Sequence, residues 1–314
     1  MSEFTTPKPQ EVSQIKNFVK GGNEIRGLGP ESGKKLKFLL LGLHTIVPQE
    51  LQESGILNNK PHAAAVSSLL DYQVSLNDVM DFKGMKEPTP DLVNLANERE
   101  QVSRDKFDKS LEVLPEDKRG FIEEVSENAI REVTFIETWI RNVRDNQRAT
   151  FNDVDLYRKL VNAVSTVCDV ATIFGPEKFA GKLNTIPEKE LTMQSIIDKY
   201  AWVFSTSPND EIERATMIAF NTTMDVQVAD DWQDRDIDEA MSIPSYGTAA
   251  ILRYESDEPG KKEAKRFLKQ IKDDYRNKAK ELGLGKISAD GLSKAMSALE
   301  RAKRSYMHFD KKMG

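Results

Sequence analysis

The sequence predicts an all-α fold, a single helical bundle, on three observations. Apolar residues recur at helical spacing through most of the chain. No stretch shows sustained strand alternation with Asn-Gly or Asp-Gly turns. The periodic segments are often near 20 residues long, and short linkers join most of them, as in one bundle rather than a string of small domains.

In chain order, residues 1–30 read as a loosely attached arm, with Gly21-Gly22, Gly27, Gly29 and Pro30 breaking any regular element. The helical domain then runs over 31–314. Its periodic segments are Ala63–Phe82, Phe121–Val143, Leu156–Ile173, Ile212–Trp232, Ala264–Leu282 and Leu292–Met307. Between them lie Pro61, Glu87–Pro90, Pro115, Gly175-Pro176, Pro187, Ser207–Asn209, Pro244 and Pro259-Gly260. Asn152 or Asp153 is placed to cap the helix around Tyr157, and Asp210 to cap the one beginning at Glu211.

Composition excludes several classes. With 45 Lys+Arg against 51 Asp+Glu, the net charge is −6, the wrong sign for a general nucleic-acid binder. The single cysteine, Cys168, cannot form an internal disulfide and suits a reducing compartment. The longest apolar run, Phe38–Leu43, falls far short of the roughly 20 residues that span a membrane. The N-terminal MSEFTTPKPQ lacks the basic-then-apolar pattern of a secretory signal, so a cytoplasmic location is expected.

Two acidic clusters break the polar-outside pattern. In Asn77-Asp78-Val79-Met80-Asp81, the two aspartates are three apart and share a helix face. Further on, Asp230, Asp234 and Asp238 form an i, i+4, i+8 stripe, with Asp231 beside it and Gln227 a turn earlier. Two like charges about 6 Å apart in a cleft repel by roughly 3 kcal/mol at an effective dielectric of 20. The only intervening cation, Arg235, points away from the stripe. A divalent ion relieves such repulsion. Mg²⁺ takes oxygen ligands and favours one or two carboxylates together with substrate phosphate oxygens.

At these residues the chain resembles the class I isoprenoid synthases. Val226-Gln227-Val-Ala-Asp230-Asp231-Trp-Gln-Asp234 is similar to the FQxxDDxxD motif of trans-isoprenyl diphosphate synthases, and Asn77–Asp81 to their DDxxD motif with asparagine leading. Ser32-Gly33-Lys34-Lys35-Leu36-Lys37 resembles their GGKRLR segment. Thr150-Phe151-Asn-Asp153-Val-Asp-Leu-Tyr157-Arg-Lys-Leu-Val161-Asn-Ala163 is similar instead to the TFxELxxYCxxVAG stretch of squalene and phytoene synthases. In that register Gln227, Asp230, Asp234 and Asp238 match QxxNxxxDxxxD. Together the likenesses span about residues 32–306. The departures are specific. Phe82-Lys83-Gly84 stands where the first group has Arg-Arg-Gly, Val164-Ser165 where it has Lys-Thr, and Val74 where the second group has an arginine.

The resemblance implies a Mg²⁺-dependent prenyltransferase that ionises an allylic prenyl diphosphate and joins isoprenoid units. The runner-up is a terpene synthase cyclising one prenyl diphosphate; a catalytically inactive partner subunit is a third reading, motivated by Asn77. The implied catalytic acids are Asp78, Asp81, Asp230 and Asp234, with Asn77, Asp231 and Asp238 completing the metal set. The implied diphosphate ligands are Lys34, Lys35, Lys37, Lys83, Arg235 and Gln227. Several substrate-bridged ions are implied, and by analogy a homodimer. Phe135, Trp139, Trp202, Phe204 and Trp232 are candidates to line a carbocation cavity, each weighed against ordinary core packing. His44, His62 and His308 show no ligand spacing, Cys168 reads as a buried thiol, and Gly27–Gly33 lacks the strand and Lys-Ser/Thr ending of a phosphate loop. Arg141, Arg144 and Arg148 read equally as a diphosphate patch or a solvated helix face.

Overall fold

The computed structural model describes residues 39–40, 42–43, 46–84, 90–146, 149–254 and 258–284. The arm, Lys34, Lys35, Lys37, His44, Arg148, His308 and the segment Leu292–Met307 lie outside them. The described α-helices are α1 (Pro48–Glu53), α2 (Lys60–Lys83), α3 (Pro90–Leu111), α4 (Glu116–Asn146), α5 (Phe151–Phe174), α6 (Met193–Tyr200), α7 (Glu211–Met241), α8 (Tyr246–Tyr254) and α9 (Glu258–Glu281). Among the described residues there is no strand, so the all-α expectation holds. No described helix is long and apolar enough to cross a membrane.

The bundle is built around α5. Its first turn is fixed by a capping box: Thr150 Oγ1 accepts from the Asp153 backbone N–H, and the Thr150 N–H donates to the Asp153 carboxylate at 2.8 Å. The cap is therefore Thr150; Asp153 is its reciprocal partner rather than the cap. Asp210 caps α7 as expected, accepting from the Glu213 N–H at 2.7 Å. Along α5, Val154, Leu160, Val164, Val167 and Val170 are almost wholly buried, each contributing on the order of 1.5–3 kcal/mol. Helix α4 pairs antiparallel to α5, since Glu137 meets Tyr157 at one end and Val125 lies against Cys168 at the other. α2 and α3 form a second antiparallel pair, with Tyr72 stacked on Phe107 at 6.0 Å and Ser75 bonded to Ser103 at 2.8 Å.

Buried polar ties fix the relative placement of the helices. Fully buried Glu132 of α4 accepts from Lys199 Nζ and Tyr200 Oη, both at 2.7 Å, which anchors α6. Arg276 of α9 grips Asp225 of α7 at 3.1–3.3 Å. His62 of α2 lies 2.6 Å from the Thr172 carbonyl of α5, and burial pushes its pKa down to about 4, so its role is structural. Cys168 is buried, and burial drives its thiol pKa well up, as an inert core thiol requires.

Candidate functional site

Helices α2 and α7 end at the same pole of the bundle, and α4 shows why. Its last turns carry Glu137, Arg141 and Arg144 at i, i+4, i+7. Arg144 Nη1 donates to the Gly84 carbonyl at 2.7 Å and to the Ser242 carbonyl at 2.8 Å, so one guanidinium holds both helix ends. Arg141 donates to the Met80 carbonyl and lies 3.5 Å from Glu137. Positive charge at two helix C-termini is favourable, since unsatisfied carbonyls concentrate negative potential there. A Cβ at Gly84 would displace the Arg141 guanidinium and lie 2.9 Å from the Met80 carbonyl oxygen, so the close approach here favours glycine. Arg141 and Arg144 are thus neither a free diphosphate patch nor a solvated face.

The first acidic cluster sits on the last turns of α2. Asn77 is exposed, and its Nδ2 donates to Asp81 Oδ2 at 2.8 Å. Asp78 and Asp81 are partly buried. Burial is the main cause that lifts the Asp81 pKa to about 7; Glu137, Asp78 and Asp238 add to the rise, and Arg158 opposes it. Asp238, near the end of α7, is buried and raised to about 6. Desolvation leads there too, with Asp231 and Asp234 adding, and Ser245 and Arg158 opposing. Asp81 therefore feels the charge of Asp238, 157 positions away in sequence (238 minus 81).

The most buried acid of the second cluster, Asp231, has protein partners on both oxygens. Arg158 of α5 donates to it through Nε at 3.0 Å and Nη2 at 2.9 Å, Gln227 Nε2 donates at 2.6 Å, and the Tyr246 backbone N–H at 2.8 Å. Gln227 and Asp231 thus brace one another, α5 and α8 in this arrangement. Arg158 is the cation that spacing along α7 could not reveal. Burial works against its charge, but Asp231, Tyr157, Asp81 and Glu137 overcome that and hold it protonated. Tyr157 Oη in turn donates to buried Glu137 at 2.6 Å.

Arg235 stacks over Trp232 at 4.6 Å, donates to the Trp232 carbonyl at 2.8 Å and lies 3.3 Å from Asp236. Lys83 is exposed at the end of α2. Asp230 and Asp234 are partly buried on α7. Among the described residues, no three acidic, His or Cys side chains converge closely enough to hold a metal ion by themselves. The five aromatic candidates pack on the core: Trp202 meets Phe179, Phe204 meets Phe220, and Phe135, Trp139 and Trp232 lie against buried neighbours. A cavity of about 410 Å³ lies beside the end of α7, and none of those five rings nor Asp78 nor Asp81 lines it.

Glu137 and Arg158 are the site residues that sequence reasoning missed. A weak signal existed, in an acid and an arginine on the apolar faces of α4 and α5. No family model, curated protein or solved structure matches the chain.

Proposed function

We propose that the chain binds and processes allylic prenyl diphosphates with the help of Mg²⁺, as a prenyltransferase of isoprenoid synthase type. The observation that carries this reading is that one Arg144 guanidinium holds the C-terminal ends of α2 and α7, which puts Asp81 and Asp238 at the same pole, with the Asp238 charge adding to the raised pKa of Asp81. Both acids are raised chiefly by burial and by neighbouring carboxylates, with Arg158 only partly offsetting this, and oxygen donors crowded in that way suit a hard divalent cation. Asp231 does not suit it, because Arg158, Gln227 and Tyr246 take its oxygens. Asp78, Asp81, Asp230, Asp234 and Asp238 are the acids that would hold the ions. No three of these carboxylates form a cage, so the remaining ligands have to come from substrate phosphate and water, the usual arrangement for Mg²⁺. Bound there, the ions would supply Lewis-acid charge to a departing diphosphate.

The protein's own part is to fix the two acidic helix ends. Arg144 clamps their carbonyls, and Arg158 together with the Tyr246 N–H sets the rotation of α7 through Asp231. Val164, at a position where the head-to-tail synthases carry a lysine, is fully buried and offers no second diphosphate contact. That favours, as the alternative, a cyclase using a single diphosphate. The firm partnering of Asp231 favours the third reading, an inactive subunit whose acidic motif has become a structural brace.

Incubation with Mg²⁺ and geranyl, farnesyl or geranylgeranyl diphosphate, with and without isopentenyl diphosphate, separates the three. Longer diphosphates or coupled hydrocarbons are the expected products, and Asp234→Ala should abolish them while leaving the fold intact. A cyclic product would select the cyclase. Absence of diphosphate release under every condition would select the inactive brace and overturn the enzyme readings.

A further inference from the structure

The chain leaves α7 through Ser242, in the left-handed region at φ 57°, and turns at Pro244 into α8. This turn leaves the cavity of about 410 Å³ between the end of α4, the start of α5, and α7, α8 and α9. Its size is in the range of small-ligand sites, which run from about 300 to 1,000 Å³. The walls are mostly apolar: Val154, Ala249 and Ile251 are buried, and Ile243 and Leu252 complete them.

The charged groups on the lining nearly cancel. Arg235 pairs with exposed Asp236, and Arg144 is committed to two backbone carbonyls and to Asp145. Partly buried Lys261, in the first turn of α9, makes no ion pair among the described residues. Asp238 is buried on the opposite element, with Ser245 as a hydrogen-bond partner, and Glu239 is exposed at the rim. A full charge on a ligand would lose its hydration here and meet both signs of charge in return, a poor exchange. A neutral head group that both donates and accepts loses far less. A hydroxyl can donate toward the Asp238 carboxylate and accept from the Lys261 ammonium while its hydrocarbon body covers the apolar walls.

We infer that this cavity is a binding site for a medium-chain alcohol, a neutral amphiphile with a body on the order of ten carbons. The inference needs no metal and neither Asp78 nor Asp81, although Asp238 is common to this site and to the prenyl diphosphate reading.

Calorimetric titration of the full chain with 1-decanol, decanoate and decylammonium, all in EDTA, tests it. Saturable binding of one decanol per chain, tighter than either charged probe, is expected. Lys261→Ala should weaken decanol binding by about tenfold, the scale of one hydrogen bond to a charged group. Leu252→Asp, at an exposed lining position where folding is not at risk, should abolish it. The assignment is overturned if decanol shows no saturable binding, if either charged probe binds more tightly, or if Leu252→Asp leaves decanol binding unchanged.

Discussion

Arg158 decides the character of the acidic site, because one guanidinium stands among Asp81, Glu137, Asp231 and Asp238. Its side chain and that of Asp231 are both largely buried, at 12% and 3% exposure. Removing one member of such a pair strands the other charge away from water. Arg158→Ala should therefore cost about 3–5 kcal/mol in urea unfolding, and Asp231→Asn in the same chain should recover much of that loss. Additive losses would show that the pair does not couple. The opposite logic governs Asp81. Its pKa near 7 and that of Asp238 near 6 lie above the ordinary carboxylate value near 4. The folded chain thus binds more protons than the unfolded chain between about pH 4 and 7. Through these two groups, stability falls as pH rises across that window. Asp81→Asn should flatten this slope and stabilise the protein at pH 8 by on the order of 1–2 kcal/mol, allowing for partial solvent screening. Unchanged or lower stability at pH 8 would contradict the assigned environment.

At the scale of elements, α7 and α8 approach closely at Gly247. A Cβ there would lie well inside contact distance of the Asp231 carbonyl oxygen and 2.6 Å from Arg235 Cβ. Because one obstacle is backbone, Gly247→Ala has to push α8 outward and stretch the Tyr246 N–H bond to Asp231. A loss of about 1–3 kcal/mol in thermal or urea unfolding is expected, typical of overpacking. A neutral substitution would show that the two helices are not pinned. The long helices were legible in sequence because their apolar stripes are strong: α2, α4, α5, α7 and α9 each fall on a periodic segment. Helix α3 was not legible. Its inward face includes Ala96, Ser103, Phe107 and Ser110, so two of those four buried positions are hydroxyls that apolar periodicity does not register. The cap of α5 was misplaced for a related reason, since Thr150 and Asp153 bond reciprocally and either residue type suits a cap.

Across the whole molecule, the two acidic clusters were readable as local patterns, whereas the arrangement around them was not. Glu137, Tyr157 and Arg158 reach that pole only because α4 and α5 pack antiparallel and present their ends to it, a consequence of tertiary packing rather than of any motif. The same packing explains why Asp231 and Gln227, equivalent on paper to their neighbours, face protein partners. The central claim is that carboxylates from α2 and from α7 serve one cation site. Titration of Mn²⁺ in the presence of inorganic diphosphate, followed by electron paramagnetic resonance, tests this most directly. A saturable site should be lost both on Asp81→Asn and on Asp234→Asn, although the two residues belong to different helices. Absence of saturable Mn²⁺ binding in the unmodified chain, or persistence of the site in either variant, would contradict the claim.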